Sequence, residues 1–86
     1  MNKLAIRILL VEDNLADARL LQLLLDERNS FPSQWTHVQR ISEAIEQLTI
    51  TQPDAILLDL SLPDGNGIDT LTTLQPYTSN LPIVVR

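Results

Sequence analysis

The sequence contains no cysteine and only two glycines. Without cysteine, neither a disulfide framework nor a cysteine-ligated zinc site can form, and the composition suits a reducing cytoplasm. Both glycines, Gly65 and Gly67, lie in the second half of the chain. No glycine-rich turn therefore follows the first apolar segment, and a dinucleotide-binding Rossmann domain fits poorly. Basic residues are also few: six Lys and Arg stand against eleven Asp and Glu, giving a net charge of −5. Binding to nucleic-acid phosphates is driven by Lys and Arg, so direct nucleic-acid contact is not expected. No apolar run approaches the roughly 20 residues that span a bilayer. The start, Met1-Asn2-Lys3-Leu4, has neither the apolar stretch nor the small-residue cleavage site of a secretory leader. Neither membrane insertion nor secretion is expected.

What is present points to one folded unit. At 86 residues, 44% of them hydrophobic, the chain is expected to form a single small domain over residues 1–86. Ile6 to Val11 (IRILLV) is nearly continuous and aliphatic, as befits a strand buried on both faces. Asn14 or Asp13 is placed to cap a helix running from Leu15 to about Arg28. Asn29, Ser30, Pro32 and Ser33 read as a loop, and Trp35 to Gln39 as a short strand. Ser42 is placed to cap a second helix that carries Ala44, Ile45 and Leu48 and ends before Pro53. Ala55 to Leu58 is a second buried-type strand; Ile68 to Leu74 is a short helix stopped by Pro76; Ile83 to Val85 opens another strand. Strands alternating with helices predict a parallel sheet with right-handed crossovers and helices on its faces.

Against this pattern the segment DAILLDLSLPDGNG, residues 54–67, raises a question: an aliphatic strand runs straight into the carboxylate of Asp59. In a parallel sheet all strands end on one side. The first strand ends in Val11-Glu12-Asp13 and the third in Leu58-Asp59. If they are neighbours, three carboxylates converge at the carboxyl edge, where open α/β sheets place their ligands. Like charges so close repel, and a hard divalent cation such as Mg²⁺ relieves the repulsion. Plainer roles exist for two of the three. Asp13 can cap the first helix, and Glu12 can be a solvated loop charge. Asp59 has no capping duty, because the turn Pro63-Asp64-Gly65 comes before the next helix.

These residues resemble the receiver domain of two-component response regulators. The resemblance rests on ILLVEDN at 8–14, PDAILLDLSLPDGNG at 53–67 and LPIVV at 81–85, in the family's order along the chain. It implies a flavodoxin-like three-layer α/β sandwich around an open parallel sheet. It implies that Asp59 accepts a phosphoryl group from a histidine kinase or phosphotransfer protein, with Mg²⁺ held by Glu12, Asp13, Asp59 and the backbone carbonyl of Ser61. Pro63 and Gly67 match the turn that shapes the loop after the acceptor. A carboxylate aligned with a leaving group can form an acyl phosphate, and as an ionised group at neutral pH it needs no separate base.

The family pattern continues past the fourth strand with a hydroxyl residue, a helix, a strand ending in Lys and a last helix. This sequence stops at Arg86, so a receiver fold lacking that last helix-strand-helix region is expected. The competing reading is a receiver that serves as a protein–protein interaction module without phosphotransfer. A metal-dependent phosphohydrolase would need further catalytic residues and a cap, for which the chain is too short. Leu20, Leu21, Leu23, Leu24 and Leu25 span an arc of about 200° on the first helix, more than the roughly 100° one sheet face covers. That surplus, and the apolar strand Ile83 to Val85, predict a homodimer. His37, the one histidine, reads as an ordinary strand residue. Trp35 reads as a core or edge plug, Tyr77 as loop packing, and Asp26-Glu27-Arg28 as a solvated helix end.

Overall fold

The structure, a computed structural model, describes residues 5–28, 32–59, 68–78 and 80–85. In chain order these form β1 (Ile6–Val11), α1 (Leu15–Arg28), β2 (Ser33–Val38), α2 (Ile41–Ile50), β3 (Ala55–Leu58), α3 (Ile68–Leu74), a 3₁₀ turn at Gln75–Tyr77 and β4 (Ile83–Val85). All strand pairings are parallel and the sheet order is β2-β1-β3-β4. The α/β architecture expected from the alternating pattern is the one observed.

The order carries a functional consequence. After β1 the chain moves to one side, to β2; it then crosses back over β1 to reach β3 on the other. With right-handed crossovers, that reversal puts α1 and α2 on opposite faces and opens a crevice at the carboxyl ends of β1 and β3.

The two faces are not packed equally. Leu9, Val11, Ile56 and Leu58 alternate onto one face and form the main core with Val38, Ile41, Ala44 and Leu74. Six of these eight are 2% exposed or less. Complete burial of one such Leu or Ile side chain is worth about 1.5–3 kcal/mol, so this α2–α3 side carries most of the hydrophobic stabilisation. On the other face, α1 buries Ala18, but Leu20, Leu23 and Leu24 remain 55%, 55% and 45% exposed. An apolar groove of about 330 Å³ runs between α1 (Leu21, Leu24, Leu25) and the sheet, bordered by Val84 and Val85 of β4. The leucine surplus on this helix is thus present as exposed surface.

Local structure departs from expectation in two places. Strand β2 begins at Ser33 rather than Trp35 and ends at Val38 rather than Gln39. Backbone pairing of Ser33 with Ile6 recruits a residue whose side chain favours a loop. Helix α2 is preceded by Arg40, and Ser42 lies inside its first turn. Arg40 leaves β2 with extended dihedrals and makes no side-chain cap; instead the Glu43 carboxylate reaches back to accept from the Gln39 N–H at 3.1 Å. Asp26, Glu27 and Arg28 are exposed, as expected of a solvated helix end, and the Asp26 Oδ1 also accepts from the Trp35 indole Nε1–H at 3.1 Å, tying α1 to β2. Tyr77 sits exposed in the 3₁₀ turn that carries Pro76. No helix among the described residues is long and apolar enough to cross a membrane.

Candidate functional site

The carboxyl ends of β1 and β3 are fastened together. Val11 pairs with Leu58, and immediately beyond them the Asp59 N–H donates to the Val11 carbonyl at 3.0 Å. On the other flank the Glu12 N–H donates to the Val38 carbonyl, also at 3.0 Å. Glu12 and Asp59 therefore leave two adjacent strands at the same level, each with its backbone still hydrogen-bonded to the neighbouring strand.

This alignment brings the predicted carboxylates together. Oxygens of Glu12, Asp13 and Asp59 lie within 4.8 Å of one another. Their surroundings form a gradient: Glu12 is 2% exposed, Asp59 is half-buried and Asp13 faces solvent. Two unit charges about 5 Å apart repel by about 3 kcal/mol at an effective dielectric constant near 20. Solvent screening reduces this for the exposed Asp13. The fold thus gathers three acidic groups where a divalent cation would relieve their mutual repulsion.

The helix cap resolves the competing role of Asp13. The Asn14 Oδ1 accepts from the Asp17 N–H at 2.9 Å, and the Asn14 carbonyl accepts from the Ala18 N–H at 3.0 Å. Asn14, not Asp13, caps α1. Nor is Glu12 a solvated loop charge, because it is almost completely buried at the strand end.

The donor set suits a hard divalent cation, since all three groups are carboxylates. Mg²⁺ binds oxygen at about 2.0–2.1 Å, so two ligands on one ion are at most about 4.2 Å apart. The observed spacing exceeds this by little, and the exposed Asp13 can turn to close the difference. Ser61, expected to contribute its backbone carbonyl, lies outside the described residues, as do Pro63, Asp64, Gly65 and Gly67.

Comparison with known proteins gives this arrangement a family. Residues 8–86 match the response regulator receiver domain. The chain belongs to the response regulator receiver family. Among curated relatives, the cell cycle transcriptional regulator CtrA of Caulobacter vibrioides is 39% identical over 79 residues, 92% of this chain and 33% of CtrA. The chain thus spans about a third of that relative's length. Among solved structures, the phosphorylated cyanobacterial phytochrome response regulator RcpA matches with TM-score 0.80 at 36% identity, over 94% of this chain and 64% of RcpA. The MaeR response regulator bound to beryllium trifluoride matches with TM-score 0.81 at 28% identity, over 94% of this chain and 66% of MaeR. The protein is therefore a two-component receiver domain, a signalling module with the flavodoxin-like fold of its relatives.

One residue at this receiver's acidic edge escaped the sequence. His37, near the end of β2, places its ring Nε2 2.7 Å from the Glu12 carbonyl oxygen. It touches the site through the backbone rather than through a carboxylate. The signal that could have found it is register: in a parallel sheet, the last residues of β2 lie level with the end of β1.

Proposed function

We propose that this receiver domain accepts a phosphoryl group on Asp59, with Glu12, Asp13 and Asp59 holding Mg²⁺. The observation that carries the proposal is the convergence of these three carboxylates at the crevice between β1 and β3. The Ser61 carbonyl is the fourth proposed ligand. When bound, Mg²⁺ supplies positive charge to the phosphoryl oxygens and orients them.

The chain's own residues do the rest. Asp59 is the nucleophile: a carboxylate oxygen forms a bond to phosphorus as the bond to the donor's imidazole nitrogen breaks, leaving an acyl phosphate on Asp59 and a neutral imidazole once that nitrogen regains a proton. No proton has to leave a carboxylate before it attacks. The hydrogen bond from the Asp59 N–H to the Val11 carbonyl holds the acceptor level with the acidic pair. Position and electrostatics therefore account for most of the chemistry. The donor is a histidine kinase or phosphotransfer protein of the cytoplasm.

A role as an interaction module alone is the weaker reading, because all three acidic residues are present and clustered. The exposed leucines of α1 and the apolar edge at Val84 and Val85 support pairing with a second copy. Beryllofluoride binding, followed by backbone NMR, tests the phosphoacceptor proposal. It should perturb Asp59 and its neighbours in the native chain and leave Asp59→Asn unaffected.

A further inference from the structure

We infer that His37 is a positioning residue for the acidic site, acting by a hydrogen bond from its imidazole to the Glu12 main chain. The inference rests on the phosphoacceptor reading above and adds a residue to it. A carbonyl oxygen only accepts, so at 2.7 Å the His37 Nε2 must carry the proton and donate it. The contact is therefore directional, from imidazole N–H to carbonyl oxygen.

The place of this bond follows from where β2 ends. In a continuing parallel ladder, the Glu12 N–H would donate to one residue of the neighbouring strand and the Glu12 carbonyl would accept from the residue two further on. The first half is present: the Glu12 N–H donates to the Val38 carbonyl at 3.0 Å. Strand β2 stops at Val38, however, and the chain turns through Arg40 into α2. His37 folds its side chain to the strand end and supplies a donor to the Glu12 carbonyl. A half-buried imidazole thus extends the β1–β2 pairing by one bond beyond the end of β2.

That bond bears on the site because the Glu12 carbonyl and the Asp13 N–H belong to one rigid peptide plane. Held by Val38 before Glu12 and by His37 after it, the backbone sets the direction in which Glu12 and Asp13 project. These are two of the three mutually repelling carboxylates. Unrestrained, their repulsion would rotate this peptide and spread the oxygens. Residues that orient metal ligands from outside typically matter by about 10–100-fold in metal affinity.

The test compares His37→Leu, which removes the donor, with His37→Gln, whose side-chain amide offers a nitrogen donor at similar reach. In metal-free protein, the Asp13 amide resonance reports the bond at the preceding carbonyl. It should shift in His37→Leu and return toward its native position in His37→Gln. Mn²⁺ titration, read by paramagnetic broadening, should show about 10–100-fold weaker binding in His37→Leu and recovery in His37→Gln. Thermal melting of each variant establishes that both are folded. A folded His37→Leu with an unmoved Asp13 resonance overturns the inference, as does one that leaves Mn²⁺ affinity unchanged. If the native protein binds no Mn²⁺, the metal reading fails by itself, and the Asp13 resonance alone then decides the role of His37.

Discussion

The main-chain N–H of Asp59 is hydrogen-bonded to the carbonyl of Val11 at 3.0 Å, so the proposed acceptor and the acidic pair that follows Val11 hang from one joint. Directly behind that joint sits Leu58, which is 0% exposed. Packing and chemistry are therefore coupled here. Leu58→Ala should destabilise the protein by about 2–5 kcal/mol, the usual cost of truncating a buried leucine. Urea unfolding measures this. A cost below 1 kcal/mol would show that the joint does not depend on the core beneath it.

Metal should bind and stabilise. A ligand that binds only the folded state at ten times its dissociation constant adds about 1.4 kcal/mol. Mg²⁺ should therefore raise the melting temperature and chelation should reverse the effect. Asp13→Asn should lose that response. Without metal, the same substitution should leave stability unchanged or raise it by up to about 1 kcal/mol, because it removes an exposed like charge. A metal response that survives Asp13→Asn intact would exclude Asp13 from the site.

The cap assignment makes a separate prediction about the neighbouring residue. Asn14→Ala should cost about 1 kcal/mol by removing the bond to the Asp17 N–H. Asp13→Ala should cost no such capping energy. Chemical denaturation of the two variants separates the roles, and equal losses would mean that capping is shared.

Much of this architecture was legible because its signals are local. Ile6 to Val11 and Ala55 to Leu58 are continuous aliphatic runs, and a strand buried on both faces needs nothing else. Asp59 stood out because it follows such a run without a helix to cap. The site's convergence was legible too, since parallel strands all end on one side. What the sequence hid depends on pairing between distant segments. Ser33 enters β2 through its register with Ile6. Ser42 has the side chain of a cap, but the chain leaving β2 makes Arg40 the boundary residue, and Glu43 takes the Gln39 N–H. In the sequence His37 is an ordinary strand residue, because nothing local announces that its ring meets the Glu12 carbonyl, 25 positions away.

The exposed leucines of α1 predict self-association. Sedimentation at micromolar concentration should show a dimer, and Leu20→Lys combined with Leu24→Lys should shift it to monomer. Both side chains are about half exposed, so the substitutions should spare the fold. A native protein that sediments as a monomer at this concentration would contradict pairing through this face.

The identity of the acceptor is the central claim, and one labelling experiment tests it most directly. The protein is incubated with acetyl phosphate and Mg²⁺, treated with borohydride, which reduces an aspartyl phosphate to homoserine, and mapped by peptide mass spectrometry. Homoserine should appear at position 59, and should disappear in Asp59→Asn and when the metal is chelated. Modification at Asp54 or Asp64 instead, or none at all in protein shown to be folded, would contradict the assignment of Asp59.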